Sequence, residues 1–406
     1  MDLAQAKSLR TGLDRFLRTF DDCIATCRGR RHLRTYVSGQ MSGLGRKSVE
    51  PIALQAGVPP RTLQEFLTFH SWDEGAVRDR VQERVSRLHG DPEAIGVIDE
   101  TSLPKKGDKT PGVQRQHCGA TGKTDNCVVT VHLGYVAGDF HALLDGDLYL
   151  PESWHRDRDR CREAGIPDDV VYRPKWRIAL DELEAAAQRG VFFKWLCADE
   201  GYGRCHDFRL GVADLGIAYV VEVPTTHTGW KARQAWGGSR PVERFAKGGR
   251  GWELWRVKDT EKGPEVFKVR ALRFRPAEEG IVGDEQWLLV TRHVLTGEVK
   301  YFLSNAPEDA PLGVLLHVAF SRWHIERIFR EAKNEAGLDH YEGRRYVGLR
   351  RHLVITALSV LFLAEQKQRL AEDDEKRGGT SHSSRSSASS RPNSIPASLL
   401  ASAVAT

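Results

Sequence analysis

The spacing of apolar residues divides the chain into a helical beginning and a strand-rich middle. Over residues 1–90, apolar side chains recur three and four positions apart, as in Leu13, Phe16, Leu17 and Phe20. This period predicts amphipathic helices. From residue 91 onward, short apolar runs bounded by turn residues replace it, and such runs are typical of buried strands. We therefore predict an all-helical N-terminal domain over residues 1–90, followed by an α/β domain.

The α/β domain is predicted to begin with three strands, a helix and a fourth strand. The strands are expected at residues 94–99, 126–136, 141–150 and 191–198, and the helix at about 175–189. Short connections between the first three strands favour antiparallel pairing. This succession is that of a ribonuclease H-like mixed sheet flanked by helices, which is the fold class we predict.

The rest of the chain is predicted to complete this core in three parts. Residues 91–216 form its first part, residues 217–305 add the last core strand and a β-rich insertion, and residues 306–372 add C-terminal helices, expected at 311–338 and 348–370. Residues 373–406 are rich in Ser and poor in large apolar side chains, so we expect a disordered tail there.

Composition narrows the cellular setting. The 60 Lys and Arg residues against 55 Asp and Glu give a formal charge of +5, which suits a phosphate-bearing partner without requiring one. Seven scattered cysteines without a C-x-x-C pair indicate reduced intracellular thiols. The longest apolar run, residues 353–364, is shorter than the ~20 residues that span a bilayer. We expect a soluble cytoplasmic protein that does not insert into membranes.

Two local patterns invite binding hypotheses. Residues 47–65 contain a helix, a Gly-containing turn, a Pro-Pro break and a second helix, which fits either a DNA-reading helix-turn-helix or an ordinary pair of packed helices. His117 and Cys118 lie near Cys127, but the strand and turn character of their surroundings favours local packing over a zinc site.

Two aspartates follow apolar runs that end predicted strands. Asp99 ends IGVID and Asp199 ends FFKWLCAD. A carboxylate at a strand end is held by the sheet and faces solvent, as a catalytic metal ligand must, although a single Asp in this position also commonly starts a turn or caps a helix. Gly201 and Gly203 would let the backbone approach a ligand closely.

A third carboxylate is expected because a two-metal phosphoryl-transfer centre needs several hard oxygen ligands. The predicted helix around residues 321–337 offers Glu326, with Arg322 and Arg330 one turn away on either side and Lys333 further along. On helical spacing alone, a solvated ladder of i,i+4 salt bridges explains these residues better than a metal site does.

The order of these motifs resembles one enzyme family. Arg322-x3-Glu326-x6-Lys333 resembles the signature Tyr-x2-Arg-x3-Glu-x6-Lys of insertion-sequence DDE transposases in the IS-four superfamily. The segments VIDETSLPKKG, CADEGYG and RWHIERIFREAKNEAG resemble blocks of its IS-seven-zero-one-like branch, in that order. The likeness covers roughly residues 10–365. The signature tyrosine, which in the family contacts phosphate, would fall at Ala319, so that contact is lost here or comes from another residue.

The resemblance implies metal-dependent DNA cleavage and strand transfer at insertion-sequence ends. It implies two Mg²⁺ ions, replaceable by Mn²⁺, on Asp99, Asp199 and Glu326, with Arg322 and Lys333 holding phosphate oxygens. The partner would be double-stranded DNA at transposon ends and target, bound by a homodimer. Basic residues expected along the DNA path are Lys105, Lys106, Arg330, Arg344, Arg345, Arg350 and Arg351.

Tryptophans in the insertion could stack on an unpaired base, although packing of the sheet is the commoner use of such residues. They are Trp230, Trp236, Trp252, Trp255 and Trp287. Three other functions stay open at this point: a ribonuclease H-like DNA nuclease, a DNA-binding protein derived from a transposase whose chemistry has decayed, and a metal-free hydrolase using His206 or His324. The last lacks a recognisable nucleophile motif.

Overall fold

Helices occupy the beginning and the end of the chain, and strands occupy its middle. The computed structural model describes residues 3–232, 238–247, 250–260, 263–278 and 280–378. The helices in these ranges are α1 (Leu3–Arg18), α2 (Cys27–Gln40), α3 (Val49–Gln55), α4 (Pro60–Thr68), α5 (Glu74–His89), α6 (Glu152–Arg156), α7 (Arg158–Ala164), α8 (Lys175–Gln188), α9 (Glu200–Gly203), α10 (His206–Asp214), α11 (Leu312–Phe320), α12 (Trp323–Ala336) and α13 (Tyr346–Gly378). The strands are β1 (Ile95–Pro104), β2 (Gln114–Cys118), β3 (Lys123–Ala137), β4 (Phe140–Leu148), β5 (Trp195–Ala198), β6 (Ala218–Val223), β7 (Thr228–Lys231), β8 (Arg240–Pro241), β9 (Glu253–Thr260), β10 (Gly263–Glu278), β11 (Ile281–Val282), β12 (Gln286–His293) and β13 (Val299–Ser304).

The core of the sheet has the strand order β4-β3-β1-β5-β6. β1 and β5 are parallel, as are β5 and β6, whereas β3 runs antiparallel to both β1 and β4. Three antiparallel strands followed by two parallel ones, with α8 as the crossover before β5, is the ribonuclease H arrangement. The predicted fold class, a mixed α/β sheet flanked by helices, is confirmed.

The strands after β6 continue the same sheet. β13 pairs antiparallel with β6, β12 with β13, and β10 with β12. β7 and β9 then pair with β10. The predicted β-rich insertion therefore extends the core sheet at the edge formed by β6.

Helix α13 joins the N-terminal helices to the sheet. Buried polar contacts fix it against α2: the Tyr36 hydroxyl lies 3.0 Å from His352 Nδ1, and Gln40 Nε2 donates to Thr356 Oγ1 at 2.9 Å. Burial lowers the pKa of His352 to about 4, so this imidazole is neutral. The helix is long and apolar enough to cross a membrane, but 83% of its apolar window is buried inside the protein, as in a core helix.

Helix α12 packs closely on the sheet because β3 has a glycine beneath it. A Cβ atom added at Gly134 would lie 2.8 Å from Val97 Cγ2, 3.0 Å from Ile325 Cδ1 and 3.1 Å from Ile328 Cδ1. Both isoleucines are fully buried. The missing side chain thus sets how near α12 comes to β1 and β3.

Several boundaries differ from the sequence predictions. β1 continues to Pro104 because β3 pairs with it beyond the end of β5. β5 begins only at Trp195, and not at residue 191 as predicted. The preceding Val191 and Phe193 are apolar because they are buried in the core, although they pair with no strand. The single helix predicted over 311–338 is two helices, α11 and α12, and α13 runs to Gly378, past the predicted start of the tail. Residues 379–406 lie outside the described residues.

We expect Gly134→Ala to destabilise the fold. The added methyl group would press on Val97, Ile325 and Ile328, and overpacking of this kind costs about 1–3 kcal/mol. Urea denaturation measures the change in the free energy of unfolding. Gly119→Ala is the matched control, because no atom lies within 4 Å of a Cβ there. Equal stability of the two variants would contradict this account of how α12 packs.

Candidate active site

The parallel pairing of β1 and β5 brings two aspartates together. It ends at the pair Ile98 and Ala198, so the next residue on each strand, Asp99 and Asp199, lies at the same edge of the sheet. There β5 stops and the chain turns into α9, whereas β1 continues along β3. Asp99 is therefore in mid-strand and not at the strand end that the sequence predicted. It lies where its parallel neighbour ends.

Asp199 is held by the helix that follows it. Its Oδ1 accepts a hydrogen bond from the Gly201 amide at 2.8 Å, so it caps α9, which is one of the two roles that the sequence left open. Burial raises the pKa of the Asp199 carboxyl and the nearby Glu100 adds to this, while Arg322 and the backbone amides oppose it.

Asp99 is the most deeply placed acid of the site. Burial raises the pKa of its carboxyl to about 7, Asp199 adds to the increase, and Arg322 acts against it. Arg322 Nη1 donates to Asp99 Oδ2 at 2.9 Å. Because desolvation outweighs this ion pair, the ionised carboxylate is costly here without a further positive charge.

Glu326 is linked to the aspartates through the same arginine. Arg322 Nη2 lies 3.2 Å from Glu326 Oε1, and the glutamate side chain is 60% exposed. The guanidinium of Arg322 thus bridges a carboxylate on β1 to one on α12. The i,i+4 salt bridge weighed from the sequence is present, but its arginine reaches beyond the helix to the sheet.

The residues present fit a divalent cation by their chemistry. Asp99 and Asp199 offer adjacent hard oxygen donors at a partly desolvated edge, where their mutual repulsion favours a bound positive charge. Within the ranges that the structure describes, no three His, Cys, Asp or Glu side chains form a ready metal cluster. Arg322, seated on Asp99, separates Glu326 from the aspartates.

A fourth carboxylate, Glu100, was not predicted from the sequence. It follows Asp99 on β1 and therefore points to the opposite face of the sheet. There the Tyr202 hydroxyl donates to Glu100 Oε2 at 3.0 Å, and Lys175 pairs with Oε1. These contacts tie β1 to α8 and α9 directly beneath the aspartates. The only signal in the sequence is the acidic pair Asp99-Glu100.

Comparisons with known proteins agree with this geometry. The family described as DDE superfamily endonuclease matches residues 19–271. The chain is also 33% identical over 318 residues to the probable transposase for insertion sequence element IS701 of Microchaete diplosiphon, covering 76% of this chain and 75% of the relative. The chain belongs to the DDE superfamily and is an IS701-like transposase. The family resemblance predicted from the sequence is confirmed, and with it an enzyme that acts on DNA.

Among solved structures, the NurA nuclease from Sulfolobus solfataricus matches at 10% identity over 63% of the transposase and 89% of the nuclease, with a TM-score of 0.27. A TM-score this low does not establish a shared fold or function. DDE superfamily membership implies dependence on a divalent metal. The matched family region ends before α12, so the assignment of Glu326 stays a prediction.

The glycines of the second acid's motif serve packing. A Cβ atom at Gly203 would overlap the carbonyl oxygen of Glu222, so this glycine lets α9 lie directly on β6. The predicted approach of Gly203 to a ligand is therefore wrong. At Gly201 a Cβ atom would come within 3.1 Å of Asp199 Oδ1, the atom that its amide already binds.

Three of the predicted DNA-facing residues form exposed positive charge. Lys106, Arg344 and Arg345 are exposed. The two arginines line a cavity of about 230 Å³ together with Lys109 and Arg160. Arg345 also donates to the Glu163 carbonyl at 3.2 Å, which fixes its direction. Lys109, Arg160, Arg344 and Arg345 thus lie on one surface, here called the basic surface, which they share with Asp108 and Glu163.

Other predicted basic residues are placed differently. Arg330 is exposed on α12, and Lys333 is half-buried there, where burial lowers the pKa of its ammonium. Lys105 donates to the Tyr341 carbonyl at 2.6 Å, and burial lowers its pKa to about 8. Lys105 thus ties the end of β1 to the segment before α13.

Arg350 and Arg351 belong to the interior contacts of α13. Arg351 is 5% exposed and donates to the Leu67 carbonyl at 3.2 Å, so the prediction of phosphate contact for it is wrong. Arg350 lies 3.4 Å from Glu74. Arg351 supplies a donor to carbonyl groups at the end of α4, and Arg350 attaches α13 to the start of α5 through Glu74.

Ala319, at the position of the signature tyrosine, is 5% exposed in α11 and packs in the core. In the insertion, Trp287 donates to the Pro307 carbonyl at 2.9 Å and Trp255 to Glu253 at 3.2 Å. Trp230 and Trp252 are half-buried, and Trp236 lies outside the described residues. Base stacking by these tryptophans stays a prediction.

The sulfur and histidine candidates have structural roles. Cys118 and Cys127 are buried beside Val129 in a small apolar cluster, in line with local packing, and all seven cysteines are free thiols. His324 stacks on Trp323 at 3.9 Å between ring centroids, and burial lowers its pKa to about 3. His206 lies 3.5 Å from Glu278, at a different cavity.

We expect Asp99→Asn to stabilise the metal-free protein at pH 8 by about 1–3 kcal/mol. Because burial raises the pKa of Asp99 to about 7, the folded chain holds this proton more tightly than the unfolded chain. The stability that the group contributes is present below about pH 4 and is lost as the pH rises to about 7. Urea denaturation in EDTA at pH 4.5 and pH 8 measures the difference.

The advantage of Asp99→Asn should shrink at pH 4.5, where the native carboxyl is largely protonated in the folded state. Glu326→Gln is the control, because its side chain is 60% exposed and its salt bridge is worth little. A loss of stability in Asp99→Asn at pH 8 would show that the Arg322 ion pair, and not desolvation, dominates this site.

Proposed function

We propose that this transposase cuts DNA at the ends of an insertion sequence and joins the freed ends to target DNA, using Asp99, Asp199 and Glu326 as its metal ligands. The observation that carries the proposal is the pair Asp99 and Asp199, aligned by the register of β1 and β5 and bridged by Arg322 to Glu326. Two carboxylates on rigid elements and a third on an adjacent helix suit phosphoryl transfer.

Mg²⁺ is the proposed metal, as two ions, with Mn²⁺ as a substitute. When bound, these ions would increase the acidity of the attacking water and stabilise the charge on the departing oxygen. The protein contributes position. β1 and the cap of α9 fix the two aspartates, and the Tyr202 and Lys175 contacts to Glu100 keep β1 in place below them.

Two phosphoryl transfers make up the reaction. In the first, a water oxygen attacks the phosphorus at the transposon end, and the 3′ oxygen leaves and takes a proton to become a hydroxyl. In the second, that hydroxyl attacks a target phosphodiester, so one P–O bond forms and another breaks without an outside energy source. Both transfers proceed in line, so they can use the same carboxylates.

Arg322 is the residue that must change partner. Seated on Asp99, it offsets part of the cost of a buried carboxylate. We infer that it moves to a phosphate oxygen when DNA binds, since guanidinium binds phosphate through two parallel hydrogen bonds. Lys333 would add a second positive charge from the same face of α12.

The basic surface is the proposed path of the DNA away from the site. Arg344 and Arg345 lie on it, and the exposed Lys106 and Arg330 would extend it. The helix pair α3 and α4 is a second proposed contact. We place the enzyme in the cytoplasm, acting as a homodimer that holds both transposon ends. We keep the domain boundaries predicted from the sequence as part of this proposal: residues 1–90, 91–216, 217–305, 306–372 and 373–406.

One competing function has an observation in its favour. A transposase-derived protein that binds DNA without cutting it would also retain this fold, and Ala319 in place of the signature tyrosine is what favours it. Three intact acids favour the enzyme. Assays of cutting and of binding on the same DNA separate these two functions.

We expect Asp99→Asn, Asp199→Asn and Glu326→Gln each to lower the nicking rate at least ~100-fold, because each removes a charged oxygen donor from the site. The assay uses purified protein, Mg²⁺ and a duplex carrying the terminal inverted repeat, with chelation by EDTA as a second means of stopping the reaction. Glu200→Gln is the control, since this exposed acid directly follows Asp199 but caps nothing.

Each variant should still bind the same duplex in a filter or gel-shift assay. Nicking that persists in Glu326→Gln would remove that residue from the site. If the native chain binds the duplex but never nicks it, the non-cutting alternative holds.

We expect Lys106→Ala, Arg344→Ala and Arg345→Ala each to weaken DNA binding and to reduce the slope of log affinity against log salt by about 1, because each phosphate contact releases about one counterion. Fluorescence anisotropy at several salt concentrations measures both quantities. Lys194→Ala is the control, since Lys194 precedes β5 at the opposite end of the strand from Asp199 and pairs with Glu93. Unchanged slopes in all three variants would exclude the basic surface as the DNA path.

A further inference from the structure

A second acidic cavity lies on the face of the sheet that α8 covers. Its volume is about 390 Å³, and α8, α13 and the end of β4 form its walls. Five carboxylates line it, together with three guanidinium groups. The acids are Asp145, Asp147, Asp169, Asp181 and Glu182, and the bases are Arg78, Arg173 and Arg350.

Among the carboxylates that the structure describes in this cavity, Glu182 is the one that is buried without hydrogen-bond partners. It is 4% exposed, and neither of its carboxylate oxygens has a hydrogen-bond partner within the described residues. Burial and the nearby Asp145 and Asp147 carboxylates raise the pKa of this carboxyl well above its ordinary range, while Arg173 and the backbone of Asp147 act against the increase. A buried ionised carboxylate without a partner is unfavourable, so such a group is protonated unless it is paired or bound to a cation. Binding of a cation here would release that proton.

The neighbouring acids already have arginine partners. Arg173 lies 2.6 Å from Asp147 and 2.5 Å from Asp181, and Arg78 lies 3.6 Å from Asp145. These arginines are thus engaged with other acids at the walls, and Arg173 acts on Glu182 through its charge without a hydrogen bond to it. When all five acids are ionised they outnumber the three arginines by two, so a divalent cation would balance the charge of the lining.

We propose that this cavity binds one hydrated divalent cation, held by Glu182 together with Asp145 or Asp147. Mg²⁺ keeps several of its waters in proteins and binds through one or two carboxylates, so a ready cluster of three ligands is not required. An ion with six waters, each of about 30 Å³, occupies about half of the cavity. Because the Glu182 oxygens are fully buried, the carboxylate would have to turn toward the cavity before these waters could donate to it.

Other ligand classes fit this cavity less well. An anion would meet the unpaired Glu182 carboxylate, and an apolar ligand would leave eight charged side chains without water. The ion would connect Glu182 on α8 to the end of β4, so its expected effect is to stabilise the packing of α8 on the sheet.

The cavity is separate from the proposed active site. Asp147 pairs with Val131, and Val131 pairs with Glu100 on its other side, so two strand spacings of about 4.8 Å each separate Asp147 from β1. The inference therefore does not rest on the proposed function. It can fail or hold independently of the assignment of Asp99, Asp199 and Glu326.

Counting bound Mn²⁺ tests the proposal. The starting protein is the full chain with Asp99→Asn, Asp199→Asn and Glu326→Gln, which removes the carboxylates of the proposed active site. Electron paramagnetic resonance of free Mn²⁺ in a titration gives the number bound. We expect one Mn²⁺ per chain in this background, no bound ion after the further change Glu182→Gln, and at least a tenfold weaker affinity after either Asp145→Asn or Asp147→Asn, whichever removes the second ligand.

Glu184→Gln is the matched control, because it lies on the same helix, is 40% exposed and pairs with Arg177 outside the cavity. It should keep the bound ion. Thermal unfolding supplies a second readout: Mn²⁺ should raise the midpoint of the background protein and of Glu184→Gln but not of Glu182→Gln. Absence of bound Mn²⁺ in the background protein, or equal affinity with and without Glu182, would overturn the proposal.

Discussion

The parallel pairing of β1 with β5 is the constraint on which the site depends. Because side chains alternate along a strand, a slip of one residue would turn Asp99 away from Asp199 and replace it with Glu100. Antiparallel pairing with β3 fixes the other edge of β1 along its whole length. Gly134 then lets α12 approach this sheet closely enough for Arg322 to reach Asp99. Fold and site are thus specified by the same contacts.

The ionised aspartates of the site are unfavourable where they lie, and a bound cation would reduce that cost. Burial and like charges raise the pKa of Asp99, and Arg322 offsets only part of that cost. Such arrangements commonly mark functional positions, where stability is reduced in favour of binding. Arg322 is the positive charge that contacts the Asp99 carboxylate. A positive charge on the aspartates would free the arginine for phosphate, which couples the two binding events.

The sequence predicted elements wherever one face of an element determines its pattern. Apolar periodicity located α8 and α13, and turn residues separated the strands of the insertion. Sequence patterns did not predict features that depend on contacts with residues distant in the chain. The length of β1 depends on β3, and the burial of Arg351 depends on carbonyl groups of α4. The sequence pointed to Asp99 as a candidate ligand but not to the role of Glu100. The two faces of a strand can be told apart only when the helices that cover each face are known.

The central claim is that Asp99, Asp199 and Glu326 together hold the catalytic metal once Arg322 has left Asp99. Anomalous diffraction from crystals of the transposase grown with its end DNA and Mn²⁺ tests it most directly, since the metal is located by its own scattering. The account predicts Mn²⁺ between Asp99 and Asp199, with Glu326 within ~2.5 Å of an ion and Arg322 on a DNA phosphate. An intact Arg322 to Asp99 pair beside DNA, with no Mn²⁺ at the aspartates, would contradict it.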